Sequence, residues 1–435
     1  MTNRQLSIVN ITPGSGDNFY CENCLRDKAV VRALLDLGHK AMMVPLYLPI
    51  GDNAALSAAT SPLFFGGINV YLQQKLRIFR WTPRWIDRLL DSPRLLRWAA
   101  RKAGMTTPRD LGMTTISMLR GHDGRQRKEL LRLVDWMADN ERPDVVVLSN
   151  VLLIGLAQTI KDRLGVPVAC HLQDEDEFLD ALPPDLSARS WDLIRSQARH
   201  VSAFIAPSRY FADFMGRRLE LPLQRVHVVR PGMDFTGYGP APGTNAAGRK
   251  IGFMSRMYAD KGLDLLVEAF IRLRSQGRFA DVRLLAGGGQ TDADRPYVAA
   301  IRRRLDEAHL AADTEFLPHL EGDDRRRFLQ RLTVLSVPER RGSAAGLYVL
   351  EALACGVPVV QPDSGAFSET IKATGGGRLF APGDAAALAG ELAAMLDDPS
   401  GAARMGQSGR RAVLAGYTAK GSASHLLEVL APLCD

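Results

Sequence analysis

The sequence predicts an α/β chain built from two doubly wound, Rossmann-like domains. Short strand-length runs such as Leu6 to Ile11, Asp144 to Leu148 and Val166 to Cys170 alternate with longer stretches of helical periodicity along the whole chain. That alternation is the pattern of buried parallel strands covered by helices on both faces. The second observation is size: 435 residues with 46% hydrophobic content exceed one ordinary core and suffice for two. The third is the stretch Gly237 to Gly248, rich in Gly, Pro, Ala and Asn and short of bulky apolar side chains, which reads as a linker. The expected domains are residues 1–240, with a basic, tryptophan-containing insertion near 75–104, and residues 249–415. Residues 416–435 are expected to form a terminal helix.

In the first half, Leu6 to Ile11 is a strand and Thr12 to Asp17 a glycine loop. A helix follows with Leu25, Val30, Val31, Leu34 and Leu35 on its apolar face, ending at Gly38 before a strand over Ala41 to Leu46. Gly14 and Gly16 would let backbone N–H groups at the helix start approach a phosphate or substrate. Arg125 to Asn140 is a helix and Asp144 to Leu148 a buried strand. The strand Val166 to Cys170 runs straight into His171 and the acids Asp174, Glu175, Asp176 and Glu177. Ligands gather at such strand ends, so His171 is a candidate base, and Asp174 and Glu175 are acceptor-side candidates. The competing reading for the acids is a solvated start to the next helix, favoured by the helix dipole. Strands over Ala203 to Ala206 and Val226 to Val229 complete this half.

The second half opens with a strand at Ile251, then Arg256 and Lys261 flank the turn into a helix. Arginine offers a bidentate fork and lysine a point charge, a pair suited to a diphosphate; the competing reading is two exposed surface cations. Val282 to Ala286 leads into a strand-end glycine loop at Gly287 and Gly288, where a nucleotide base or ribose could approach the backbone. The small residues Ser343, Ala344, Ala345 and Gly346 precede a helix beginning near Leu347, whose free N–H groups favour a phosphate. Glu351 lies within that otherwise apolar helix, so it either forms a buried ion pair or faces a polar ligand. Gly356 ends the helix, and Val357 to Val360 form the next strand.

Gly346-Leu-Tyr-Val-Leu-Glu-Ala-Leu-Ala-Cys-Gly-Val-Pro-Val-Val360, followed by Gly365-Ala-Phe-Ser-Glu369, resembles the carboxy-terminal domain of family 4 glycosyltransferases. Arg256 and Lys261 with Gly262-Leu-Asp-Leu-Leu resemble the same family, as do Pro207-Ser208, Pro231-Gly-Met-Asp234, and the glycine loop with Leu37-Gly-His39. The resemblance implies a GT-B architecture, two Rossmann-like domains facing across a cleft, with the terminal helix of residues 416–435 crossing back to the first domain. It also implies transfer of a glycosyl group from a nucleotide-diphosphate sugar with retention, without a metal or other cofactor. Arg256 and Lys261 would then stabilise the departing diphosphate, with His171 as a third candidate for catalysis. Glu351 would hold the ribose, and Ser343 to Leu347 would meet the donor sugar and phosphates, with Gly14, Gly16, Gly287 and Gly288 also on the donor. The family's helix carries two glutamates eight positions apart; Glu351 matches the second and Ser343 stands at the first. A serine can hydrogen-bond a sugar hydroxyl but carries no charge, which keeps open a catalytically weak nucleotide-sugar-binding or regulatory protein. A nicotinamide-dependent oxidoreductase would need a third glycine after Gly14 and Gly16, where Phe19 stands.

A formal charge of +7 suits an anionic ligand or lipid surface and does not by itself indicate nucleic acid. Between Lys75 and Lys102 basic residues interleave with Phe79, Trp81, Trp85 and Trp98. This stretch reads either as peripheral contact with an anionic membrane or as a helical insertion packed on the domain. The acceptor, whether saccharide, lipid or small molecule, is left open. Five thinly spread cysteines fit reduced thiols, with Cys21 and Cys24 read as packing residues rather than metal ligands. No apolar run reaches membrane-span length, so a cytoplasmic protein is expected, with the inner membrane face as a peripheral location.

Overall fold

The computed structural model describes residues 4–13, 22–47, 108–240, 248–318, 320 and 322–435. Gly14, Gly16, the basic stretch near 75–104, Cys21 and residues 241–247 of the expected linker lie outside these. The chain divides into two compact units, Met1–Met233 with Ala419–Asp435, and Asp234–Thr418.

In the first unit, strands β1 (Ser7–Thr12), β2 (Lys40–Pro45), β3 (Val145–Leu148), β4 (Val168–His171), β5 (Ala203–Ala206) and β6 (Val226–Val228) form one sheet in the order β2-β1-β3-β4-β5-β6. Every pairing is parallel. β3 is buried along its whole length, as its unbroken Val-Val-Val-Leu requires of a strand covered on both faces. The connecting helices are α1 (Glu22–Asp36), α2 (Pro108–Leu119), α3 (Arg127–Asn140), α4 (Ala157–Leu164), α5 (Glu175–Asp180), α6 (Pro184–Gln197) and α7 (Arg209–Arg218).

The second unit repeats the plan. Strands β7 (Lys250–Met254), β8 (Arg283–Gly288), β9 (Thr314–Pro318), β10 (Val334–Leu335), β11 (Val359–Pro362) and β12 (Gly377–Phe380) lie in the order β12-β11-β10-β7-β8-β9, all parallel. Between and after them run α8 (Leu263–Arg274), α9 (Arg295–Glu307), α10 (Gly322–Gln330), α11 (Leu347–Ala354), α12 (Gly365–Thr374), α13 (Ala385–Asp397) and α14 (Pro399–Gly416). α11 stops where Gly356 adopts φ +75°.

Residues 234–240 cluster with the second unit rather than the first, for a visible reason. Arg326 donates to the Thr236 carbonyl at 3.1 Å, Gln330 to that of Gly239 at 2.8 Å, and the Tyr238 hydroxyl to Glu351 at 2.7 Å. The last helix, α15 (Ala419–Leu430), belongs to the first unit. Its Leu426 and Leu430 share one apolar cluster with Leu6, Ile8, Val30 and Leu34.

Candidate active site

In the second sheet the chain steps outward from β7 to β9, then restarts at β10 and proceeds the other way. The connections leaving β7 and β10 therefore part, and the crevice at their carboxyl ends is the place where open α/β sheets hold ligands. The segment after β7 carries Arg256, Tyr258 and Lys261; the segment after β10 carries Glu339 and Ser343. Arg256 Cζ lies 4.9 Å and Lys261 Nζ 5.9 Å from the centre of the Tyr258 ring, both within cation–π range. The two cations singled out in the sequence are thus brought around one aromatic ring.

Each cation has a carboxylate that sequence reasoning did not assign to it. Arg256 is forked on Asp294, Nε to Oδ2 at 3.0 Å and Nη2 to Oδ1 at 3.1 Å, and Nη2 also donates to Thr291 Oγ1 at 3.2 Å. Burial works to raise the Asp294 carboxyl, but Arg256 and Thr291 outweigh it and hold the group below its usual range. The Arg256 side chain remains 43% exposed. Lys261 Nζ sits 3.1 Å from Glu339 Oε1, and the Tyr348 hydroxyl donates to that same oxygen at 2.8 Å.

Glu351 lies one turn beyond Tyr348 on α11 and is 1% exposed. Arg325 of α10 grips both of its oxygens, Nε to Oε1 at 3.1 Å and Nη2 to Oε2, while Tyr238 donates to Oε1 at 2.7 Å. The buried ion pair that the sequence offered as one of two readings is therefore present. A ribose contact from Glu351 would share oxygens already held by Arg325.

Ser343 and Ala344 are buried, and Ala345 is partly buried. Gly346 caps α11 in the left-handed region at φ +63°, and Leu347 is the first residue of the helix. Gly287 and Gly288 end β8 within the strand rather than in a loop after it. A side chain at Gly288 would run into the Ser255 carbonyl at 1.9 Å, so this glycine lets β8 close against the segment that bears Arg256.

In the first unit His171 ends β4 beside α1. It lines a cavity of about 10 Å³ together with Asn10, Arg26, Asp27 and Ser422, roughly the room of one water. Burial, and then the Arg26 charge, push the imidazole well below its ordinary range, so His171 is neutral near pH 7. Arg26 is itself paired with Asp27 through Nε at 3.1 Å and Nη2 at 2.5 Å. Glu175 accepts from the backbone N–H of Val151 at 2.8 Å and of Gln173 at 2.5 Å. Its carboxylate ties the loop after β4 to the one after β3, directed at backbone rather than outward. Burial pushes its carboxyl up to about 7 against the pull of those N–H groups. Asp174 caps α5 in the left-handed region at φ 54°, a conformation that aspartate tolerates better than most residues.

Residues 240–412 match the family described as glycosyl transferases group 1, and residues 97–236 the one described as glycosyltransferase family 4. The D-inositol 3-phosphate glycosyltransferase of Salinispora tropica is 30% identical over 422 residues, covering 87% of this chain and 83% of its own. The chain belongs to the family 4 glycosyltransferases. A second relative of this glycosyltransferase is the GDP-mannose-dependent alpha-(1-6)-phosphatidylinositol monomannoside mannosyltransferase of Mycolicibacterium smegmatis. It is 29% identical over 225 residues, 48% of this chain, and the match spans only 57% of the relative's length. Among solved structures, HepE of Anabaena, determined with UDP and glucose, has a TM-score of 0.69 at 16% identity and covers 98% of this chain and 100% of its own. The glycosyltransferase thus has the GT-B fold, two Rossmann-like units. Among the described residues no group of three or more His, Cys, Asp or Glu is arranged to hold a metal ion. No described helix is long and apolar enough to cross a membrane.

Proposed function

We propose that this glycosyltransferase moves a sugar from a nucleoside-diphosphate donor to a hydroxyl of a phosphate-bearing polyol, with retention of configuration and without a metal. The observation that carries the donor half is the gathering of Arg256 and Lys261 around Tyr258 at the crevice after β7 and β10. When the bond from the anomeric carbon to the diphosphate oxygen breaks, negative charge accumulates on the leaving phosphate. A guanidinium fork and an ammonium already fixed there stabilise that charge more in the transition state than in the ground state. Two cations supply the neutralisation that a divalent ion would otherwise provide. Asp294 sets the direction of the Arg256 fork, and the Arg256 face left exposed is the one available to a phosphate. Glu351, held by Arg325 and Tyr238, fixes α11 against α10, and a ribose hydroxyl would share the oxygens that those two residues hold.

The donor class is supported by the GDP-mannose-dependent relative and by HepE, solved with UDP and glucose. The acceptor class is supported by the two relatives that act on an inositol phosphate or a phosphatidylinositol mannoside. Retention rests on family membership. The test incubates the full chain with D-inositol 3-phosphate and either UDP-glucose or GDP-mannose, with and without EDTA, following nucleotide release and the product's anomeric proton by NMR. The expected result is release from one donor, an α-linked product from the α-linked donor, and no dependence on EDTA. A β-linked product contradicts retention, loss of activity in EDTA contradicts metal independence, and no release from either donor contradicts the donor reading.

A further inference from the structure

We propose that Glu339 is a positioning residue for the transfer, fixing the Lys261 ammonium at the crevice where the leaving diphosphate is held; the inference rests on the donor reading above. The two segments that carry these residues are joined independently of the ion pair. The Arg340 backbone N–H donates to the Asp260 carbonyl at 2.8 Å, and Arg340 Nε to the Ala259 carbonyl at 3.0 Å. The Arg340 side chain is also paired with Asp264 at the start of α8. Gly262 adopts φ +72°, and a side chain there would meet the Pro338 carbonyl at 2.0 Å. Residues 259–262 and 338–340 are thus held together by a main-chain hydrogen bond, by the Arg340 side chain and by the close approach at Gly262, so the 3.1 Å approach of Lys261 to Glu339 is set by the fold.

The burial of the pair is asymmetric in the direction that positioning requires. The Glu339 side chain is 1% exposed and that of Lys261 15%, so the acid lies inward and the ammonium toward the open side. Tyr348, buried on α11 against Phe367 at 6.2 Å between ring centres, donates to the Glu339 oxygen that Lys261 contacts. The acid is thereby anchored to α11, and the lysine to the acid. In the stretch from Pro338 to Gly346, Glu339 is the only carboxylate, and the serine at 343 supplies none. A long, flexible ammonium stem held at its tip loses less freedom when charge develops on the diphosphate, and the gain appears in turnover rather than in ground-state binding.

The test is steady-state kinetics of the full chain with UDP-glucose or GDP-mannose, whichever the wild type uses, on wild type, Glu339→Gln and Glu339→Asp. Glu339→Gln keeps the shape and the Tyr348 contact but removes the charge. It is expected to lower kcat by about tenfold to a hundredfold with donor KM within about threefold. Glu339→Asp, which keeps the charge, is expected to recover part of that loss. If wild type turns over and Glu339→Gln keeps its kcat, or if KM alone changes, the positioning role is wrong and the donor reading stands. If wild type releases nucleotide from neither donor, the donor reading fails and the inference falls with it. Should Glu339→Gln not fold, Tyr348→Phe, which removes the anchor of the acid, carries the test: a kcat reduced at unchanged KM supports the role, and a wild-type kcat overturns it.

Discussion

Glu351 and Arg325 bury opposite charges against each other, and the cost of separating them exceeds what the pair contributes when intact. Glu351→Gln strands the Arg325 charge in a site only 6% exposed and is expected to lower stability by about 3–5 kcal/mol in urea denaturation. Pairing Arg325→Met with Glu351→Leu removes both charges and is expected to return most of that loss; a double variant as unstable as the single one would contradict this account. Glu175 gives a pH signature. Its folded carboxyl is pushed up from 4.5 to about 7, so the native chain holds the proton more tightly than the unfolded chain. Its stabilising share is complete below about pH 4.5 and is lost as pH rises through about 7. Thermal unfolding across pH should show that fall in the wild type and a flatter profile in Glu175→Gln, and equal slopes would refute it. Arg256 and Lys261 stood out because their spacing and the Gly262-Leu-Asp-Leu-Leu that follows resemble the family; as cations alone they read as surface charges. Their partners did not stand out. Asp294 follows Asp292 in a run that reads as exposed, and only the closure of the β8–α9 loop onto Arg256 gives it a role.

The turn from Ala259 to Gly262 is the element on which the site's precision depends. Gly262→Ala imposes a side chain at φ +72° and against the Pro338 carbonyl, so it is expected to cost about 1–3 kcal/mol and to lower turnover beyond the loss of folded protein. Circular dichroism melting beside kcat separates the two, and normal turnover in a folded Gly262→Ala would show that the two segments need not be locked. Strands were the elements best read from sequence, because parallel strands buried on both faces leave continuous apolar runs; β3 and β5 are such cases. Gly287 and Gly288 were expected in a loop but continue β8, since glycine there permits close backbone approach rather than chain reversal. α10 was the opposite case. Its Arg325-Arg326-Arg327 run looks like a solvated face, and only the helix period turns Arg325 inward to Glu351 while Arg327 stays at the surface.

Each half of the molecule closes its own sheet, and each sheet reverses its strand sequence once, between β1 and β3 and between β7 and β10. This duplicated plan was readable in the alternation of strands and helices, and the motif from Gly346 to Val360 carried the family. The return of α15 to the first unit was expected from the family resemblance, and its partners became visible in the shared cluster with Leu6 and Val30. What could not be read was the charge pairing at the site, because Arg256 with Asp294, Lys261 with Glu339 and Arg325 with Glu351 each join residues far apart in the chain. The central claim is that this unit holds a nucleoside diphosphate through Arg256 and Lys261. Calorimetric titration of UDP and of GDP into the full chain and into Arg256→Ala tests it most directly. The account predicts that one of the two nucleotides binds the wild type at one site per chain and binds Arg256→Ala at least about tenfold more weakly, about 1.4 kcal/mol; equal affinity in the two proteins, or no binding of either nucleotide to the wild type, would contradict it.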